Sequence, residues 1–282
     1  MSYPSLLNRS SALLARASAL TLCATLATLQ SSTAQAAPPT PAPFTPAQTQ
    51  AVGEIAAQYL LTHPEVLAQA SDKLRQLKQQ ARLQALVRQA VRHQEALLHA
   101  PDTPVIHEQE PVSLVVFADY QCIYCARSAP MLERFMANHP DVRVVFREWP
   151  IFAARWPTSL SAARTGLAVW HQNGGQAYLR YHNALFATGH NEGRLTQADI
   201  DDVLKAQGLV HAGADRTETD GALQATSQLA QTLGLTGTPA FFIMPTHHAT
   251  VETTTALPGL PQPAVLEAAL VTARQGHTPA GG

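Results

Sequence analysis

The chain has 282 residues, of which 46% are hydrophobic and 14% charged, with a formal net charge of −1. That is enough apolar material for one large domain with an appendage, and its core needs no staple of disulfides. A near-neutral balance with no evident basic patch gives no support to a nucleic-acid partner.

Residues 1–36 read as a secretory signal peptide. Arg9 and Arg16 precede the uncharged apolar run Ala17–Leu29, and Ala34 and Ala36 form an A-x-A pattern, so cleavage is expected after Ala36. The run is shorter than the ~20 residues that span a bilayer, and Cys23 follows the bulky Leu22, which disfavours a lipoprotein. Export places the rest of the chain in an oxidising compartment, such as a bacterial periplasm, where disulfides form and persist. Residues 37–46 carry five prolines and read as an extended, semi-rigid linker.

Residues 47–100 read as a helical extension: a short helix over 47–61, a break at His63–Pro64 and a long helix over 65–98. Pro64 suits a first helical turn, where its missing N–H costs nothing. On the long helix Leu67, Ala70, Leu74, Leu77 and Ala81 are spaced alternately three and four apart, a coiled-coil-like seam. Gln84 interrupts it, and the pattern re-forms through Leu83, Val87 and Ala90. Two heptads leave open whether the helix lies on its own domain or forms a stalk joining several copies.

Residues 101–111 are polar and read as a connection. Val112–Ala118 is a continuous apolar, β-branched run, which suits a strand buried on both faces. A helix is expected from about Cys122, with Ala126, Ala129, Leu132, Phe135 and Met136 on one side, and a second buried strand over Val142–Trp149. Together they make a βαβ unit of a parallel sheet. Helical stretches at about 158–172, 175–187, 196–207 and 216–233 follow. Then come a strand at Ala240–Met244, an edge strand within 249–259 and a closing helix ending at Gly276. The expected architecture is α/β: one domain over 101–276 with a helical insertion at about 158–233, and a tail at 277–282.

The stretch FADYQCIYC, Phe117–Cys125, holds both cysteines outside the signal peptide. Three uses compete: a redox dithiol, half of a metal site, or a small structural disulfide. A zinc site needs two further ligands, yet no other cysteine remains and His247 and His248 are adjacent, so no metal site is expected. A bridge closing so short a loop constrains little of the unfolded chain. A C-x-x-C at the strand-to-helix junction of a βαβ unit instead reads as redox chemistry. Cys122 falls at a helix N-terminus, where unpaired N–H groups and the helix dipole favour a thiolate. It is expected to be the exposed nucleophile, and Cys125, one turn inside, the buried resolving thiol. No dissolved cofactor is then needed.

FADYQCIYC, DVRVVFREWPIF, LGLTGTPAFFI and, in the extension, HPEVLAQASDKL resemble the DsbA-like branch of the thioredoxin superfamily. The resemblance is closest to the group with an N-terminal helical extension that includes suppressor-of-copper-sensitivity protein C. It implies a thioredoxin fold, a cis bond at Thr238–Pro239 facing the dithiol, and a client peptide pairing with the backbone there. It also implies exported cysteine-containing clients and a membrane redox partner that resets the dithiol.

Ile123–Tyr124 departs from the Pro-His of the family's strongest oxidants, so a less acidic Cys122 and a less oxidising couple are expected. Tyr124 and Thr238 both resemble disulfide isomerases. Isomerase or reductase is therefore the favoured direction, with dithiol oxidase as the alternative. A non-enzymatic chaperone, or a copper-binding module using the soft thiols, is the alternative of another class. Asp119 and Glu148 are candidates for relaying the proton of Cys125, against a plain reading as strand-end polar groups.

Overall fold

The structure, a computed structural model, describes residues 44–209 and 216–275. The expected signal peptide, most of the proline-rich linker, Gly276 and the tail lie outside the described residues. The chain divides into two units, residues 1–62 and 63–282.

In the first unit, helix α1 (Pro46–Thr62) opens on a reciprocal cap. The Thr45 N–H donates to Gln48 Oε1 and the Gln48 N–H to Thr45 Oγ1, which satisfies two of the N–H groups a helix start leaves free. The helix buries no residue of its own, and Ile55 and Leu61 are exposed.

The second unit starts with α2 (Pro64–Arg92) and α3 (Gln94–Leu98). There follow β1 (Val105–Ile106), β2 (Val112–Ala118), α4 (Ile123–Asn138) and β3 (Val142–Glu148). Then come α5 (Thr158–Ala187), α6 (Gln197–Ala206), α7 (Arg216–Leu233), β4 (Ala240–Pro245), β5 (Thr255–Pro258) and α8 (Pro263–Gln275). The sheet order is β1-β3-β2-β4-β5. Strands β2 and β3 pair in parallel from Val112 opposite Val142 to Ala118 opposite Glu148, and the other pairings are antiparallel. The βαβ unit, helical block and antiparallel ββα unit follow the order of elements expected from sequence, and together they make the thioredoxin arrangement that the family resemblance implies.

Every residue of β2, β3 and β4 is buried, and alternate side chains feed two cores, because successive residues of a strand face opposite ways. Leu114, Val116, Val144, Phe146, Phe241 and Ile243 pack with α4, α5, α6 and α8. Val115, Phe117, Val145, Phe242 and Met244 pack with Leu86, Ala90, Leu97, Leu98, Leu229 and Leu233 from α2, α3 and α7. The sheet is thus covered on both faces, and the second cover comes partly from the segment that the sequence assigns to an extension.

The long helix therefore does two things along its length. Leu86 and Ala90 are buried, and Leu83 and Val87 pack against the second core. The seam residues Leu67, Leu74 and Leu77 stay 52%, 53% and 49% exposed. Two further differences from the sequence reading are local. The helix breaks at His93, and residues 101–111 contain the two-residue strand β1, too short to show a period.

Arg143 and Arg147 explain how α3 is held. Both project from β3 to the α3 side. Arg143 Nη2 donates to the Leu98 carbonyl at 2.9 Å, while Arg147 donates to the Leu97 carbonyl at 2.7 Å, to Ala96, and to Thr103 Oγ1 at 2.8 Å. Cations belong where a helix C-terminus leaves carbonyls unpaired. Burial, with repulsion from Arg143, brings Arg147 down to about 10, so it stays charged at neutral pH.

Candidate active site

The site forms where β2 hands over to α4. After Ala118 the chain turns, with the Cys122 N–H donating to the Asp119 carbonyl at 3.0 Å. Cys122 is the N-cap of α4 in extended geometry (φ −84°, ψ 118°), and no side chain caps the helix there. When protonated, its thiol donates to the Thr238 carbonyl at 3.3 Å, and the Thr238–Pro239 bond is cis. Cys125 lies one turn into α4, 1% exposed, and both thiols are free.

The two sulfurs differ in acidity for physical reasons. Cys122 is brought down to about 6, chiefly by a hydrogen bond from the Cys125 thiol, with further help from the Thr238 side chain and the Cys125 and Tyr124 N–H groups, against its own burial. Burial pushes the Cys125 thiol well up, and the neighbouring Cys122 sulfur adds to the rise. One sulfur is thus ionised at neutral pH and its partner holds a proton, the pairing that thiol–disulfide exchange requires.

In one respect the sequence expectation is overturned. Cys122 is only 3% exposed, not an open nucleophile, because the Thr238 carbonyl stands over its sulfur. The exposed member of the motif is Tyr124, at 53%, with the Arg127 guanidinium 5.6 Å from its ring centre. Ile123 is half-buried.

Neither candidate relay carboxylate hydrogen-bonds Cys125. The Asp119 carboxylate accepts from the Gln121 and Phe152 N–H groups and the Ser159 hydroxyl, at 2.8, 2.9 and 2.9 Å. It pins the active-site turn to the start of α5. Glu148, at the end of β3, accepts from the Tyr120 and Tyr178 hydroxyls at 2.8 and 2.6 Å on one oxygen, while its other oxygen is buried without a partner. Burial pushes its carboxyl up to about 8, with Asp119 adding to the rise against the two tyrosines. Tyr120 also meets His182 Nδ1 at 3.2 Å, and burial brings His182 down to about 3. Glu148 and His182 are therefore both neutral at pH 7 beneath the dithiol turn.

The loop Gly189–Thr196, which lies between two of the helical stretches expected from sequence, reaches the site. Thr196 caps α6 reciprocally with Asp199. Upstream, the Glu192 N–H donates to the Gln121 carbonyl at 3.0 Å, and the Gly193 N–H to Gln121 Oε1 at 2.8 Å. These bonds hold Glu192 at φ +53°, a conformation few side chains adopt. Its carboxylate accepts the Ile123 N–H at 3.4 Å, placing a negative charge at the helix end that stabilises the thiolate. Glu192→Gln should therefore lower the pH midpoint of Cys122 alkylation by roughly 0.2–0.7 unit. A midpoint that stays put or rises would show that Glu192 does not act on the sulfur.

This geometry has counterparts. Residues 113–271 match the model described as a DSBA-like thioredoxin domain. The chain belongs to that family. Residues 48–81, which span α1 and the first part of α2, match a second model, the copper resistance protein ScsC N-terminal domain. Among solved structures, BcfH of Salmonella enterica Typhimurium is 36% identical. That match covers 81% of this chain and 96% of BcfH, with a TM-score of 0.69. ScsC of Proteus mirabilis in a compact conformation is 28% identical over 82% of this chain and all of that one, with a TM-score of 0.57. A thioredoxin-like oxidoreductase from Silicibacter pomeroyi DSS-3 is 28% identical over 64% and 97%, with a TM-score of 0.53.

Among curated proteins, the Na(+)/H(+) antiporter NhaA 3 of Salinispora tropica is 25% identical over 147 residues, and the match spans 50% of this chain and 21% of that protein. As a DSBA-like family member of the DsbA and ScsC type, the chain is a thiol–disulfide oxidoreductase. No helix among its described residues is long and apolar enough to cross a membrane.

Proposed function

We propose that this DSBA-like protein is a periplasmic disulfide isomerase or reductase that works on exported proteins, with Cys122 as nucleophile and Cys125 as resolving thiol. The observation that carries the reading is the pairing of an ionisable sulfur, lowered to about 6, with a buried protonated one, beside the cis bond at Pro239.

In the proposed cycle the Cys122 thiolate attacks a client disulfide, forming a mixed disulfide and expelling one client thiolate. In isomerisation that client sulfur, or another, attacks a different client disulfide, and a client thiolate finally releases Cys122 unchanged. In reduction Cys125 gives up its proton and attacks the Cys122 sulfur. The client leaves with two thiols, and the two electrons come from the Cys122 and Cys125 thiols, which end joined in a disulfide that a membrane redox partner re-reduces. The redox-active pair is the only cofactor this chemistry uses. Thr238 and Pro239 hold the client backbone as an added strand.

Two features favour isomerisation over oxidation. A nucleophile near 6 lies closer to the thioredoxin end of the family range, about 7, than to the ~3.5 of the strongest oxidant. The exposed seam at Leu67, Leu74 and Leu77 suits association of copies through the N-terminal helices, which would set several dithiols around one misfolded client.

The test combines the reduction potential of the couple with reactivation of a scrambled-disulfide substrate. The expected potential is well below the ~−120 mV of the strongest oxidant, nearer the ~−180 mV of protein disulfide isomerase, with reactivation lost in Cys122→Ser. A potential near −120 mV without reactivation would establish an oxidase instead. Undiminished function in Cys122→Ser would establish a non-enzymatic binder.

A further inference from the structure

A groove runs from the Thr238–Pro239 loop along helix α2. Its inner chamber, about 390 Å³, has Gln79, Arg82 and Leu83 of α2 on one side and Thr236, Thr238 and Gly259 on the other. An outer chamber of about 520 Å³ shares Leu83 and continues between Val87 and Arg88 of α2 and Ala256 and Leu257 of β5. Among the described residues, Arg82 and Arg88 are the only charged ones lining either chamber. Both are exposed, and among the described residues neither has a carboxylate partner. Arg82 donates instead to the Thr236 hydroxyl, two residues before the position whose carbonyl meets the Cys122 sulfur.

We propose that this groove is a binding subsite for an extended, acidic client segment, with Arg82 and Arg88 taking its carboxylates and Leu83, Val87 and Leu257 an apolar side chain between them. The inference rests on the exchange reading only for the cysteine that enters at Thr238. Charge complementarity selects the occupant, because two guanidinium groups that have no ion-pair partner among the described residues repel a basic segment and attract an acidic one. The spacing fits an extended chain. Six helical residues set the arginines roughly 9 Å apart along the helix axis and about 120° apart around it, and that axial rise equals about three residues of extended peptide. The long helix thus becomes a selector of clients as well as a cover for the sheet.

The probes are eight-residue peptides with serine in place of cysteine, flanked on both sides by glutamates, lysines or alanines. Their binding to the isotope-labelled full chain is followed by amide chemical shifts. At low salt the acidic peptide should bind about fivefold or more tighter than the lysine peptide, with shifts at Leu83, Thr238 and Gly259. The preference should shrink in 0.5 M salt and invert in the double variant Arg82→Glu, Arg88→Glu. The milder pair Arg82→Gln, Arg88→Gln should abolish it. Equal affinities in the unaltered chain, shifts mapping away from the groove, or a preference that survives both double variants would each overturn the proposal. The peptides contain no sulfur, so this outcome is independent of whether the dithiol exchanges with clients.

Discussion

Glu148→Gln should stabilise the protein at pH 9 by about 3–5 kcal/mol relative to any change it makes at pH 4.5. The folded carboxyl sits near 8 against an ordinary 4.5, mainly because burial penalises its charge. Between those values the folded chain keeps a proton that the unfolded chain has released, so stability falls as pH rises through the window. Below 4.5 both states are protonated and nothing is lost. Above 8 the whole penalty of a buried carboxylate is present, and a shift of this size corresponds to roughly 5 kcal/mol at most.

Glutamine cannot ionise, and its carbonyl can still accept the Tyr120 and Tyr178 hydroxyls. Its NH₂ group falls where the unpartnered oxygen of Glu148 lies, at a cost of about 1–2 kcal/mol. Denaturant unfolding of the oxidised forms at several pH values reads the difference, since the oxidised form removes the titration of Cys122. A difference between the two chains that is the same at pH 4.5 and pH 9 would refute the buried neutral acid.

Cys125→Ser should arrest the cycle at the mixed disulfide, prolonging its lifetime on the order of 10³-fold or more. In the unaltered chain the resolving thiol acts from one helical turn away, and intramolecular attack of this kind carries effective concentrations of roughly 10⁵ M or above. Without it, and with a single-cysteine client peptide that has no thiolate of its own to attack back, only dissolved thiols remain. The covalent complex should be visible on a non-reducing gel and should vanish with dithiothreitol. In the unaltered chain, resolution should speed up about tenfold per pH unit from pH 6 to 8, because Cys125 is pushed well above the ordinary thiol range and must ionise to attack. A flat pH profile would reveal a proton acceptor that the hydrogen bonds of Asp119 and Glu148 do not provide. No accumulation of the complex in Cys125→Ser would remove Cys125 from the resolving role.

What the sequence disclosed was what neighbouring residues encode. Continuous apolar runs at Val112–Ala118 and Ala240–Met244 announce strands buried on both faces, and C-x-x-C spacing puts two sulfurs one turn apart. The Gly-Thr-Pro stretch marked the partner loop only through its family resemblance. Strand β1 escaped because two residues carry no period. The covering role of α2 was ambiguous because its apolar stripe shifts at Gln84, where one part meets the sheet's own core and another meets solvent.

Glu192 and His182 carried no local signal. The first is brought to the Ile123 N–H by a backbone bend fixed through Gln121, and the second is held against Tyr120 by aromatic packing that also involves Phe146 and Phe186. The low exposure of Cys122 is likewise a long-range fact, set by a carbonyl 116 positions further along the chain.

Because α2 is one unbroken helix from Pro64 to Arg92, its bare apolar ridge and its groove-lining arginine are rigidly geared. Leu67 and Arg82 lie roughly 22 Å apart along a single rod. A second chain seated on the ridge would therefore rest on the same rod whose Arg82 hydrogen-bonds the Thr236 hydroxyl in the loop over the reactive sulfur.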